Sequence, residues 1–113
     1  MEKTIEIDGK QVRFKSTGAT ALRYKTQFRK DYLAEIMKLF VLDKLDFNDL
    51  SPEDLDYIDF EVFYNIAWAM AKTADKDIPD PLTWLDGFSV FPIAEIIPEL
   101  QDLLMSSIQT KKN

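Results

Sequence analysis

The chain has 113 residues, 14 Lys/Arg against 20 Asp/Glu for a formal net charge of −6, and neither cysteine nor histidine. Those two absences exclude disulfides, thiolate metal sites, cysteine nucleophiles, Ser–His catalysis and histidine-bound zinc. A hydrophobic fraction of 46% with 30% charged residues belongs to an ordinary globular chain, long enough for one domain that buries about two thirds of its unfolded surface.

No apolar run approaches the roughly 20 residues of a membrane span. Residues 1–8 lack the apolar core of a signal peptide, so a cytoplasmic location without membrane partners is expected. The charge is unevenly placed. Residues 1–40 hold nine Lys/Arg and five Asp/Glu, whereas residues 41–113 hold five and fifteen. Such a balance disfavours nucleic acid as a partner. It either solvates the outer faces or lets the basic third of one copy meet the acidic part of the next, a head-to-tail contact.

Residues 3–15 read as a β-hairpin, because Asp8-Gly9 suits a two-residue turn with positive φ at both positions. That loop sets Ile7 opposite Lys10, Ile5 opposite Val12 and Lys3 opposite Phe14. One face then gathers Ile5, Ile7, Val12 and Phe14, and the other is polar with Glu2 opposite Lys15. The apolar face needs helices to lie on.

Ser16-Thr-Gly18 is a turn and helix cap, and helical pattern follows over 19–42 with Leu22 and Phe28 on one side. Asp31 has the character of a fresh N-cap, so this stretch is one bent helix or a pair. Asp43 to Leu50 reads as an acidic loop. Ser51-Pro-Glu-Asp54 opens a central helix over 52–74. Leu55, Ile58, Val62, Ile66 and Met70 form one apolar face of it; Tyr57, Phe60, Tyr64 and Trp68 form another. A helix apolar on two sides is either the centre of a small domain or reserves a face for another chain.

Asp80-Pro81 starts a short helix over 81–87 that Gly87 closes. A last helical region covers 92–109, in which Pro98 is either a kink or the true first turn, and residues 110–113 should fray. The fold expected is mainly α (α+β): a single domain, residues 1–113, with an N-terminal two-stranded hairpin packed on a bundle of about four to five helices.

The acids do not compose a metal site. Asp43, Asp46 and Asp49, Asp56 and Asp59, and Asp75, Asp77 and Asp80 lack the ligand ladder of a calcium loop, and solvated acids or helix caps explain them. The three glycines all sit at turns or caps, so no phosphate-cradling loop is present. The stripe of Tyr57, Phe60, Tyr64 and Trp68 is core packing by its spacing, whereas Trp84, Phe88 and Phe91 beside a proline-bounded loop suit core and interface equally.

Several pieces in order carry a resemblance: Ile5-Glu-Ile-Asp-Gly-Lys10, Phe14-Lys-Ser-Thr-Gly-Ala-Thr-Ala-Leu-Arg23, Phe28-Arg-Lys-Asp31, Phe63-Tyr-Asn-Ile-Ala-Trp-Ala-Met-Ala-Lys72 and Ile78-Pro-Asp-Pro-Leu-Thr-Trp-Leu85. Over nearly the whole length the chain resembles the tail assembly chaperones of long-tailed phages and prophages of Gram-positive bacteria. The resemblance implies a non-catalytic morphogenesis factor without cofactor. It would bind the tape measure protein and keep it soluble while tail tube subunits polymerise, act in the host cytoplasm and stay out of the virion. It also implies self-association, and a ribosomal slip that yields a longer form; the ending Thr110-Lys-Lys-Asn113 is compatible with such a site.

The surface expected to bind client or further copies comprises Trp84, Phe88, Phe91, Ile97, Leu100 and Leu104, and Trp84→Ala is expected to weaken assembly while leaving helix content intact. The competing readings are a small acidic metal-dependent hydrolase using the aspartates, and a prophage-encoded regulator of a host protein.

Overall fold

Asp8 and Gly9 both take left-handed backbone, with φ of 54° and 73°, which is what a primed two-residue turn demands. The computed structural model describes residues 1–39, 49, 51–55 and 59–108. In it the turn joins β1 (Glu2–Ile7) to β2 (Lys10–Lys15) as an antiparallel pair. The register is the expected one, from Ile7 opposite Lys10 to Glu2 opposite Lys15. Ile5, Ile7, Val12 and Phe14 are buried on one face. The polar face differs in one detail. Glu2 pairs diagonally with Arg13, at 3.6 Å, a geometry within reach of long side chains. Arg13 also donates to the Ala74 carbonyl, 2.8 Å away.

A reciprocal cap starts α1 (Gly18–Phe28): the Ala19 N–H donates to Thr17 Oγ1 and the Thr17 N–H to Thr20 Oγ1. Arg29 ends it in left-handed conformation, φ 61°, with its N–H on the Lys25 carbonyl. Asp31 then caps α2 (Tyr32–Leu39) by accepting from the Ala34 N–H at 3.1 Å. The stretch is therefore two helices, separated by an end signal and a start signal.

Leu22 does not share a side with Phe28 as expected; it is 69% exposed. At about 100° per residue, positions six apart differ by roughly 120° around a helix, so Leu22 and Phe28 cannot share a face. The residues turned inward are Thr20, Tyr24 and Phe28, spaced by four.

The helix expected over 52–74 is interrupted. Pro52–Leu55 forms α3, and Asp59, with extended backbone (φ −100°, ψ 91°), precedes α4 (Phe60–Ala74). Aspartate favours such flanking positions over helix interiors. Tyr57 and Ile58 of the two expected faces lie outside the described residues, as do Phe40, Asp43, Asp46, Asp56 and residues 109–113.

From Val62 to Ala71 every residue of α4 except half-buried Tyr64 is buried, so α4 is the centre of the domain. Strand β2 and helix α1 pack on α4; β1 rests on α6 (Ile93–Ile108). Ala67, Ala69 and Ala71 are fully covered, their small side chains admitting close neighbours. The Thr20 and Thr73 hydroxyls, 3.1 Å apart, join α1 to α4. Pro81–Asp86 is α5, capped by Asp80, which accepts from the Thr83 N–H and hydroxyl. Those bonds, the hydroxyl's first, hold the Asp80 carboxyl below its ordinary value. Helix α6 runs through Pro98, which is exposed, and turns Ile96, Ile97, Leu100, Leu103 and Leu104 into the core. The buried apolar residues make one continuous cluster. This is the α+β architecture expected, a hairpin on a helical bundle. No helix among the described residues is long and apolar enough to cross a membrane.

Between α1 and α2 lies a buried carboxylate, Glu35, that accepts from the Tyr24 hydroxyl at 3.2 Å and from Lys38 at 2.7 Å, with Lys30 at 3.9 Å. Burial pushes the Tyr24 phenol far above its ordinary value, the Glu35 charge adds to the rise, and a hydrogen bond with Asn65 opposes it. The folded state thus keeps this proton while the unfolded chain releases it near pH ~10. The associated stability is complete below about pH 10 and declines as pH rises beyond it. Urea titrations at about pH 8 and about pH 11 should show a midpoint loss in the native chain that Tyr24→Phe makes smaller.

Candidate functional site

The proline pair Pro79 and Pro81, with the Asp80 cap, ends α4's connection and aims α5 so that Trp84 points inward. Trp84, Phe88 and Phe91 then meet edge to face, with ring centroids 5.4 to 5.6 Å apart, and Phe91 reaches Tyr64 of α4 at 5.7 Å. The hairpin turn closes over them. Lys10 sets its ammonium 5.1 Å from the Phe88 ring centre and donates to the Gly87 carbonyl; the Ser89 N–H donates to Asp8 Oδ2 at 2.8 Å. Edge-to-face rings and a cation over a ring are each worth about 0.5–1.5 kcal/mol beyond area burial.

The structure therefore brings the three predicted aromatics together, and uses them to rivet the hairpin tip to the α5–α6 connection. Trp84 is only 8% exposed, while Phe88 and Phe91 are half-buried. Ile97, Leu100 and Leu104 are buried against the rest of the core. Four of the six residues expected on the client or self-association surface, Trp84, Ile97, Leu100 and Leu104, are therefore covered by this chain's own core, while Phe88 and Phe91 keep part of their rings exposed. Two of the described aspartates act in a turn and a cap, while Asp59 flanks α4 without a side-chain cap bond. Asp75 Oδ1 accepts from the Asp77 N–H and Asp80 caps α5. Among the described residues no three carboxylates converge as metal ligands.

An accessible apolar surface occurs elsewhere. Between α1 and α4 runs a groove of about 380 Å³ lined by Ala19, Leu22, Arg23, Thr26, Gln27, Trp68 and Lys72. Trp68 forms its base, held by an N–H bond of 2.7 Å to the Pro79 carbonyl and by the Phe28 ring edge-on at 5.6 Å. Leu22 stands exposed at its side. Lys72 is committed to the Lys76 and Ile78 carbonyls, whereas Arg23 Nε is buried with no hydrogen-bond acceptor among the described residues. Further aliphatics are exposed on α2, Leu33 and Met37 one turn apart, and at Leu82 and Val90. Such a groove, apolar at the base with amide and guanidinium groups around it, suits an amphipathic helix rather than a reacting small molecule. Sequence reasoning missed it by grouping Leu22 with Phe28; the signal available was the strict four-residue spacing of Thr20, Tyr24 and Phe28, which leaves Leu22 outside.

Comparison with protein-family profiles, curated proteins and solved structures finds no match.

Trp84→Ala should cost about 3–5 kcal/mol, the usual effect of emptying a buried aromatic site. Leu22→Ser should change stability by less than about 0.5 kcal/mol. Paired urea denaturation curves followed by circular dichroism would reveal the contrast.

Proposed function

We propose that this chain is a non-catalytic tail assembly chaperone of the long-tailed phage type, acting in the host cytoplasm on the tape measure protein. The observation that carries the reading is the α1–α4 groove, with Leu22 standing free beside the buried Trp68 base. A tape measure helix exposes a long apolar stripe. A bound chaperone removes that stripe from water, and successive weak copies along one client gain avidity from proximity. The resemblance through residues 5–85 supports the same client. The tail tube protein and further copies of the chain complete the set of proposed partners.

The client surface then lies on α1 and its neighbours, because Trp84, Ile97, Leu100 and Leu104 belong to the core. Phe88 and Phe91 remain half-exposed at the border of the aromatic cluster. The test is co-expression with a candidate tape measure protein. The native chain should bring the client into the soluble fraction as a complex, and Leu22→Glu should lose that effect while keeping the native circular dichroism spectrum. A client equally insoluble with and without the native chain would overturn the proposal.

A further inference from the structure

In a hairpin with a two-residue loop the pair flanking the turn exchanges both backbone hydrogen bonds, and bonded pairs then alternate along the strands. Here that pair is Ile7 and Lys10, so Ile5/Val12 and Lys3/Phe14 are bonded in turn. The parity holds at the far end, where Met1 and Ser16 exchange backbone bonds of 2.9 and 3.3 Å. It follows that the N–H and C=O groups of Glu2, Thr4 and Glu6 point away from β2, off the outer edge of β1. Among the described residues this edge does not end against a helix. Thr4, Ile5 and Glu6 form one wall of a cleft of about 320 Å³ whose other wall is Pro92, Glu95, Ile96 and Glu99 of the α6 region. Both Thr4 and Glu6 are exposed.

An open strand edge recruits another strand unless charge or shape prevents it. Charge decides which strand this edge accepts. Glu6, Glu95 and Glu99 surround the cleft, with Lys3 as the cation at its border, 3.6 Å from Glu99. A second copy fits poorly. Antiparallel self-pairing about Thr4 would place Glu2 of each copy opposite Glu6 of the other, and like charges directly opposite are destabilising. A strand bearing lysine or arginine meets the opposite situation: its main chain satisfies the free groups of Thr4 and Glu6, and its cations face the carboxylates.

We infer that the β1 edge and the adjoining face of α6 form a docking cleft for an extended basic segment of another protein, bound by β-augmentation. This surface uses different residues from the α1–α4 groove and stands whether or not the chaperone reading holds.

The test is fluorescence anisotropy with a labelled octapeptide of alternating valine and lysine. It should bind the full chain, and its glutamate-for-lysine counterpart should not. Methylating alternate backbone nitrogens of the lysine peptide should abolish binding in one of the two phases. Glu95→Lys should weaken binding roughly tenfold at low salt. Thr4→Pro removes an outward N–H and no hairpin bond, so it should abolish binding with the circular dichroism spectrum retained. If that variant misfolds, the methylated peptides carry the same test. No binding of the lysine peptide, or equal binding of both methylated forms, would overturn the inference; the latter would mean that α6 merely attracts cations. A dimer in sedimentation that Thr4→Pro dissolves would also overturn it, by assigning the edge to a second copy.

Discussion

Burial of α4 from Val62 to Ala71 on all its sides is the constraint that shapes everything around it. A single helix cannot hide more than one face alone, so the chain supplies β2 and α1 on its flanks and brings α5 and α6 to the rest. Fully burying a side chain the size of Ile66 or Met70 contributes about 1.5–3 kcal/mol, which is lost wherever a covering element lifts. The neighbours are fastened by polar contacts at their rims: Thr20 with Thr73, Arg13 with the Ala74 carbonyl, and Trp68 with the Pro79 carbonyl. Of these, the Trp68 bond gives a buried indole N–H its acceptor, a donor that would be costly to leave unpaired.

Local chemistry was the legible part of the sequence. The Asp8-Gly9 turn determines the hairpin register to the residue, and Thr17, Asp31 and Asp80 announce helix starts because their side chains have one obvious use there. The two apolar faces read over 52–74 left a central element and a face reserved for another chain both open, and the burial of α4 decides for the centre. What escaped was direction. Whether Leu22 faces in or out depends on which neighbour claims α1, and a tyrosine, Tyr24, filled the inward position that an aliphatic count overlooks. The α6 residues Ile97, Leu100 and Leu104 have the same pattern whether they cover a client or β1; only the presence of the hairpin beside them decides. For Trp84 the sequence left core and interface level, and its packing against Phe88, Phe91 and α4 settled it.

The two candidate surfaces illustrate different origins of stickiness. The α1–α4 groove is apolar because Leu22, facing away from the Thr20–Tyr24–Phe28 side, has no covering element among the described residues. The β1 edge is polar and owes its openness to arithmetic: a two-stranded sheet always has two edges, and α6 lies beneath β1 without capping it. The buried Glu35 is a third feature, polar but of a different kind. Its carboxylate is held by Tyr24 and Lys38 and links α1 to α2, so it reads as a fastening rather than a reactive group.

The contacts of the hairpin tip have a bearing on how the chain comes into being. Asp8 holds Ser89, 81 positions later, and Lys10 reaches Gly87 across 77. During synthesis the strands emerge long before α4 and α6 exist, so Ile5, Ile7, Val12 and Phe14 must wait uncovered on the nascent polypeptide. Loops of that length close slowly, and an unshielded strand pair is prone to wrong associations in the interval. The element most clearly written in the sequence is thus among the last to find its place.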